Sequence, residues 1–505
     1  MQWIVSLTPE VSEDPCTAIA SPPDGASVVE LRVDLFPTID IATAIASCPL
    51  PVLATLRSTA EGGRGSVDPV VRKRTLAVAR DAGAALIDLE FARDATVADE
   101  IGLAPEQIVL SWHDSAGTPD DFEATVAALH ASRARIVKAI PTAGSLADLE
   151  RVLALHSRFN HRRAHNRRLI TFAMGTVGIA SRILAPLLGP HLSFAAWHEG
   201  AAAAPGQLTI RRIEAVMGHL QGRPRRLYGV VGSDVGRSLS PVLHGAAYKA
   251  LGLPYLFVPV SVPDDADLAE IFTELGGGLF DRAGLAAHGW AVTTPYKGLA
   301  AAAAEMVAPR VVRAAAANTL VLREAGMAAD NTDADGVVAS LLALGQQLEG
   351  RTALVQGTGG AARGAAVGLY LAGAEVSIRG RDAARTRTVA DVLEINALEP
   401  DEPPERAAIL VNATPLGSSP DDHLPFSETE ISAAGAIVDM VYADDETPLA
   451  VAARKAGVPS ADGIDVLAHQ AFAQFAAFTG KLPPKEAMLA AVGRSLGQEE
   501  EEATT

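Results

Sequence analysis

The sequence predicts an α/β protein in two parts: an N-terminal (β/α)8 barrel, then a two-lobed unit whose second lobe is a Rossmann dinucleotide fold. Three observations carry the prediction. Eight short apolar runs alternate with helix-length segments over about the first 200 residues, a glycine- and arginine-rich break interrupts the pattern at 222–226, and an apolar strand at 352–356 runs directly into Gly357-Thr358-Gly359-Gly360-Ala361-Ala362.

The eight runs fall at residues 3–7, 28–33, 52–56, 86–91, 108–112, 135–139, 169–173 and 192–196, with amphipathic stretches such as 70–82 and 120–131 between them. Strands that alternate with helices bury a parallel sheet on both faces, and eight such units close into a barrel; a doubly wound sheet is the competing arrangement. Gly222-Arg223-Pro224-Arg225-Arg226 suits neither periodicity and reads as a linker. Beyond it, strand-like runs at 228–231, 256–262, 290–293 and 319–322 precede a separate βαβ region that starts at 352. The division expected is a barrel at 1–222, a linker at 223–226, a substrate lobe at 227–337 completed by C-terminal helices at 465–495, and a dinucleotide lobe at 338–464. The glutamate-rich tail at 496–505 should be disordered.

Composition narrows the function classes. The chain has 505 residues, 49% hydrophobic and 20% charged, an ordinary soluble mixture, and no stretch approaches the roughly 20 apolar residues of a membrane span. Residues 1–7 read directly as a strand without a leader, and the two cysteines, Cys16 and Cys48, are too few to staple the fold, so a reducing, cytoplasmic setting is expected. A formal net charge of −18 disfavours nucleic acid and anionic membranes as partners and leaves small molecules. The basic run at 158–168, with His161 and His165 four residues apart, reads as a solvated helix end in preference to an anion site or metal pair. The alanine runs at 201–204 and 300–304 read as helix or loop filler.

In the first half, polar residues interrupt the strands where their carboxyl ends should lie: Glu30 and Arg32, Arg57, His113, and Lys138. Strand alternation puts Glu30 with Arg32 on one face, Ser111 with His113, and Ile136 with Lys138, so the polar side chains converge at the catalytic end of a barrel. A lysine in an apolar strand is costly unless paired or used. An ordinary lysine, with a pKa of about 10.4, attacks a ketone only when burial or neighbouring cations release its amine. Arg32 and Arg57 can supply the cations. Once an iminium forms, a base of pKa near 7 can remove the adjacent proton and later protonate a departing hydroxyl, a task that suits His113. To this point the pattern specifies a Schiff-base barrel enzyme, an aldolase as readily as a dehydratase. No ligand cluster accompanies His113, so no metal is expected.

The strings themselves go further. Glu30-Leu31-Arg32, Leu56-Arg57 followed by Glu61-Gly62-Gly63, Ser111-Trp112-His113-Asp114, Val137-Lys138, Met174-Gly175 with Ser181-Arg182, and Ala204-Pro205-Gly206-Gln207 occur in the order of the type I 3-dehydroquinate dehydratases, which residues 1–222 resemble. The resemblance implies that Lys138 carries the imine, His113 is the acid/base and Glu90 orients it. It further implies that Arg182 holds the substrate carboxylate, and that Glu30, Arg32, Arg57 and Gln207 bind hydroxyls or close a lid. Ala203 stands where the family commonly has Ser, which removes a lid hydroxyl.

In the second half, the glycines at 357–360 permit a tight turn and close approach of a pyrophosphate to helix-terminal N–H groups, while the small Ala362 lets helix and strand pack. The next strand ends in Arg379-Gly380-Arg381-Asp382 in place of the acidic residue suited to a ribose 2′-hydroxyl, so Arg379, Arg381 and Arg385 favour the 2′-phosphate of NADP; Asp382 leaves some room for NAD. The substrate lobe supplies Ser238 and Ser240, Thr293 and Lys297, Asn318, and Asn331-Thr332-Asp333, hydroxyls and amides that can hold a polyol acid while a lysine and a carboxylate pass a proton as hydride moves.

The order of these pieces is similar to that in shikimate dehydrogenases across 227–495, with Val411-Asn412-Ala413-Thr414-Pro415, Val438-Asp439-Met440 and Asp462-Gly463 followed by Leu467-Ala468-His469-Gln470 in support. The resemblance implies a shikimate-dehydrogenase-like fold with Ser238, Ser240, Thr293, Asn318, Asp333 and Gln470 around shikimate, Lys297 and Asp333 as the catalytic pair, and Gly357, Gly359, Gly360, Ala361 and Thr414 along NADP. Ala291, Gly245 and Asp330 depart from the usual Asn, Asn and Gly. The two resemblances describe consecutive reactions, dehydration of 3-dehydroquinate and NADPH reduction of 3-dehydroshikimate. The alternatives are a quinate or broader polyol-acid dehydrogenase in the second half, or one half kept as a non-catalytic binding domain.

Overall fold

The structure is a computed structural model that describes residues 1–161, 168–263, 268–276, 278–404, 407–419, 421–443 and 446–493. His165 and the tail at 496–505 lie outside the described residues.

Apolar runs of strand length, separated by capped helices, form the first sheet. Its strands are β1 (Gln2–Leu7), β2 (Ala26–Arg32), β3 (Val52–Thr55), β4 (Leu86–Glu90), β5 (Ile108–His113), β6 (Ile136–Ile140), β7 (Arg168–Thr171) and β8 (Leu192–Ala196). All neighbours are parallel in the order β7-β6-β5-β4-β3-β2-β1-β8, a barrel that is nearly closed, with no ladder joining β7 to β8 among the described residues. The helix Pro69–Asp81 shows why the intervening segments fold: Asp68 caps its first turn, accepting from the Val70 and Val71 N–H groups, and Leu76 and Ala79 are buried in the barrel core. Parallel register sets Glu90, Ser111 and Lys138 at one level of β4, β5 and β6, which brings the charged ends of separate strands together.

A second sheet contains β9 (Arg226–Gly232), β10 (Tyr255–Ser261), β11 (Ala287–Val292), β12 (Met306–Val307), β13 (Thr319–Arg323) and β14 (Gly326–Asp330), in the order β10-β9-β11-β13-β14-β12. The helix Gly463–Thr479 returns to it: the Tyr228 hydroxyl donates to the Phe478 carbonyl at 3.0 Å, and Phe475 packs in the same core as Tyr228 and Phe257. The third sheet is wholly parallel, β17-β16-β15-β18-β19-β20, from β15 (Thr352–Gln356), β16 (Glu375–Arg379), β17 (Asn396–Leu398), β18 (Ile409–Asn412), β19 (Ala436–Asp439) and β20 (Ser460–Ala461). Strand order reverses between β15 and β18, and such a switch opens a crevice at the strands' carboxyl ends.

The barrel's last helix, Ile210–Met217, packs on the helix Ser240–Ala250 of the second unit. Gly245 makes that contact possible: a side-chain carbon there would lie 3.0 Å from the Ala215 carbonyl oxygen and 3.2 Å from that of Val216. The departure at Gly245 thus eases the close packing of the two helices. Asp330 also has a partner, a bidentate contact with Arg310 at 2.5 and 2.8 Å.

Candidate active sites

The barrel mouth gathers an unusual density of buried charge. Lys138 is 6% exposed, its side-chain nitrogen 3.9 Å from Glu30 Oε1 and 3.9 Å from the centre of the Phe194 ring. Burial pushes its pKa down; Glu30 and Asp88 oppose this, and Arg57 and Arg32 assist more weakly. Desolvation therefore outweighs the two arginines expected from sequence to release the amine. Both are engaged elsewhere. Arg32 makes a bidentate contact with Asp34 at 2.9 and 2.8 Å, while Arg57 donates to Asp88, Glu61, Ser111 and Glu90 at 2.9, 3.0, 3.0 and 3.3 Å. Glu30 accepts from Ser6 at 2.6 Å and Thr55 at 2.9 Å, which fixes its carboxylate beside the lysine.

His113 corrects one expectation. Its Nδ1 lies 3.2 Å from Glu61 Oε2, and its backbone N–H donates to the same oxygen at 3.1 Å. Glu90, expected to orient the ring, instead accepts from the Ser58 N–H at 2.7 Å and lies among Arg57, Arg72 and Arg93. Burial, then the cations Arg57, Lys138 and Arg32, push the imidazole well below the usual histidine range, while burial pushes the Glu61 carboxyl up to about 7. An Nδ1–H donated to Glu61 leaves Nε2 as a neutral base. Glu61 is reached because the chain doubles back immediately after it: Gly62 is left-handed at φ 81°. The carboxylate four residues after Arg57, ahead of two glycines, was the sequence signal for this role.

Arg182 is 2% exposed and stands 4.5 Å over the Phe172 ring; it donates to the Pro205 carbonyl at 3.1 Å, and its Nε has no partner among the described residues. Burial pushes it down to about 9. A buried guanidinium with no carboxylate partner among the described residues is suited to an anion. Gln207 sits over the same mouth: its Oε1 accepts from the Ala203 N–H at 2.7 Å, and its Nε2 donates to Ser6 at 3.4 Å. The backbone at Ala203 supplies a donor despite the missing hydroxyl.

The second site is a cavity of about 680 Å³, lined among others by Ser238, Ser240, Thr293, Lys297, Asn318, Asp333, Thr414 and Gln470. Lys297 begins the helix Lys297–Ala303 and Asp333 the helix Asp333–Ala343, so both side chains leave helix N-termini into one space. The Lys297 ammonium donates to Asp333 Oδ2. Asn318 Nδ2 donates to Asp333 Oδ1 at 2.9 Å and to Gln470 Oε1 at 3.3 Å, and Gln474 holds the Asn318 carbonyl at 3.1 Å. A lysine hydrogen-bonded to a carboxylate beside hydroxyl and amide groups can protonate or deprotonate an alcohol oxygen.

This pair sits against the third sheet's switch point. At Gly360 a side-chain carbon would lie 2.8 Å from Lys297 Cβ; at Gly357, left-handed at φ 122°, it would lie 2.8 Å from the Ala413 carbonyl oxygen. Gly359 and Ala361 complete the turn, and Thr414 is fixed by its hydroxyl donating to Asn412 at 2.7 Å. Arg379 departs from expectation. It is 5% exposed and bound to Glu430 at 2.7 Å, Gln356 at 2.8 Å and the Glu402 carbonyl at 3.0 Å, so its charge is already met. Arg381 and Arg385 remain exposed. Arg363, missed in the sequence reading, joins them: its Nε has no partner among the described residues, and burial and then Arg385 push it down. Cations crowded at a glycine turn are suited to phosphate oxygens. Among the described residues no group of three or more His, Cys, Asp or Glu is placed to hold a metal, and no helix is long and apolar enough to cross a membrane.

Comparison with known proteins agrees with both halves. Residues 4–224 match the type I 3-dehydroquinase family, 230–320 the shikimate dehydrogenase substrate binding domain, and 463–492 the shikimate 5′-dehydrogenase C-terminal domain. The chain is 29% identical over 492 residues to the chloroplastic bifunctional 3-dehydroquinate dehydratase/shikimate dehydrogenase of Arabidopsis thaliana, covering 92% of this chain and 79% of that protein. It is 35% identical over 286 residues to a shikimate dehydrogenase (NADP(+)) of Geobacter sp. (strain M21), covering 54% of this chain and 96% of that protein. A solved shikimate 5-dehydrogenase of Thermus thermophilus, in complex with NADP(H) and shikimate, is 33% identical with a TM-score of 0.47 and covers 53% of this chain and 98% of that one. With a buried lysine in a barrel ahead of a lysine–carboxylate cleft on a dinucleotide fold, the chain belongs to the shikimate dehydrogenase family, fused behind a type I 3-dehydroquinase domain, and is a bifunctional lyase and oxidoreductase of the shikimate pathway.

Proposed function

We propose that residues 1–222 dehydrate 3-dehydroquinate through an imine on Lys138, and that residues 227–495 reduce the resulting 3-dehydroshikimate to shikimate with NADPH, the substrate lobe being 227–337 with 465–495 and the dinucleotide lobe 338–464. One observation carries the reading: each half holds a buried lysine beside a carboxylate, at the end of the sheet where such folds bind ligands.

In the barrel, Arg182 meets the substrate carboxylate and draws the lid, through Pro205 and Gln207, over the mouth. The Lys138 amine, its pKa lowered by burial, attacks the ketone carbon, and with one proton taken up from solvent the carbinolamine loses water to form an iminium. His113 takes the proton from the adjacent carbon, and the imidazolium so formed, stabilised by Glu61, returns it to the departing hydroxyl. Hydrolysis of the imine restores Lys138. Glu30, Arg32 and Arg57 hold hydroxyls and keep the surrounding carboxylates in place.

In the second half, Ser238, Ser240, Thr293, Asn318 and Gln470 hold the ring substituents, and Lys297 with Asp333 gives a proton to the carbonyl oxygen as it becomes an alcohol. NADPH, when bound, supplies the hydride. Gly357, Gly359, Gly360, Ala361 and Thr414 would hold its pyrophosphate, and Arg381, Arg385 and Arg363 would meet the 2′-phosphate. The Geobacter relative's name carries the same cofactor. The deciding experiment supplies the purified chain with 3-dehydroquinate and NADPH and follows enone absorbance and NADPH loss together. Enone accumulation without NADPH loss would remove the second assignment; neither signal would remove the first, and failure to oxidise shikimate with NADP would then remove the second.

A further inference from the structure

The dehydrogenase cleft is not built from the dehydrogenase alone. Arg212 belongs to the barrel's last helix, yet it lines the same cavity as Ser238, Ser240 and Lys297. Its Nη2 donates to the Gly236 carbonyl at 2.8 Å, two residues before Ser238, and its Nη1 lies 3.7 Å from Glu199 Oε2, with the side chain one quarter exposed. Two contacts at one face leave the remaining donors of a five-donor fork for other partners.

We propose that Arg212 recognises the carboxylate of the dehydrogenase substrate, so that the dehydratase half completes the dehydrogenase site. This deepens the dehydrogenase assignment and rests on it. Both 3-dehydroshikimate and shikimate are carboxylates at neutral pH, and the chain's net charge of −18 repels them. Within the cavity, Lys297 is committed to Asp333, and Asp234 adds negative charge at the rim. Arg237 also lines the cavity but is exposed on the loop before Ser238. Arg212 stands in the first turn of a helix capped by Thr209, and its guanidinium is held by the Gly236 carbonyl at 2.8 Å.

The test compares shikimate with its uncharged methyl ester in full-length wild type, Arg212→Gln and Arg212→Lys, with dehydratase turnover as the check on folding. Arg212→Gln should raise KM for shikimate about tenfold, the low end of what a charged lining contributes to capture, leave KM for the ester and for NADP unchanged, and flatten the fall of kcat/KM with salt; Arg212→Lys should recover most of the loss. Equal losses for acid and ester would mean that Arg212 only props Gly236, and no loss for either would mean that it does nothing in the cleft; both overturn the proposal. A wild type that does not oxidise shikimate would overturn the underlying activity and this proposal with it.

Discussion

Replacing Arg182 by methionine should make the free protein more stable and the dehydratase worse at binding. Arg182 is 2% exposed, its guanidinium has no carboxylate partner among the described residues, and burial pushes it down from the ordinary arginine range to about 9. A displacement of that size corresponds to roughly 5 kcal/mol of unfavourable burial at about 1.4 kcal/mol per unit. Methionine fills a similar volume over Phe172 without that cost but forfeits the bond to Pro205, so a net gain of about 1–4 kcal/mol is expected. In a calorimetric scan the barrel's transition should rise by roughly 2–4 °C per kcal/mol. Binding should move the other way. Removing one partner of a buried charge-assisted contact costs about 2–5 kcal/mol, or roughly thirtyfold to several thousandfold in KM for 3-dehydroquinate. Shikimate oxidation, in a different fold, should be unaffected. A variant that melts below wild type while keeping its KM would refute the argument, because it would mean that the guanidinium is stabilised by its surroundings and has no anion to meet.

Borohydride with 3-dehydroquinate should trap an irreversible adduct on Lys138, and Lys138→Ala should abolish dehydration but spare shikimate oxidation; mass spectrometry showing turnover without that adduct excludes the imine. Glu61, pushed up to about 7, takes up a proton as pH falls through neutrality and ceases to accept from His113, so dehydratase kcat/KM should fall on the acid side of about pH 7. In Glu61→Gln that limb should move to lower pH, with kcat reduced about 10–100-fold; an unmoved limb assigns the titration elsewhere. Arg381→Ala should raise KM for NADP about 10–100-fold more than KM for NAD, and equal effects would exclude a 2′-phosphate contact. Lys297→Ala and Asp333→Asn should each slow shikimate oxidation about 10²–10⁴-fold, with a double variant little worse than the poorer single one; near-normal turnover in both singles removes them as the proton-transfer pair.

How far the sequence could be read depends on the range of the interaction. The barrel strands were legible to within one or two residues because alternation and the neighbouring caps are local, and the turn at 357–360 was legible for the same reason. Strands β12 and β14 were not, since Met306–Val307 is too short to show a period and Gly326–Asp330 is mostly small residues. At the sites, parity predicted that Lys138 and Glu30 would face the barrel mouth but not which carboxylate would reach His113. That choice fell to Glu61 through the fold-back after it. Arg379 misled for a related reason: its partner Glu430 lies 51 residues further on, in a helix that closes over the strand end.

The departures from family pattern make the same point from the other side. Read along the chain, Ala203, Gly245, Asp330 and Ala291 are losses near reactive strings, and they support a weakened or non-catalytic half. In three dimensions three of the four have a physical counterpart: the Ala203 N–H still holds Gln207, Gly245 admits the barrel helix, and Asp330 binds Arg310. Ala291, 4% exposed on the cleft wall, has none that the structure explains. The barrel helix admitted by Gly245 is also the one that carries Arg212 into the cleft. If Arg212 recognises the carboxylate, the small residue that joins the two halves and the cation that serves the second site have one cause, the seating of Ile210–Met217 on Ser240–Ala250. Enlarging Gly245 to Asn should then disturb shikimate KM by displacing Arg212, with NADP KM left as it was, since the turn at 357–360 lies on another sheet. A Gly245→Asn protein with unchanged shikimate KM would separate the two features and leave the interface a matter of packing alone.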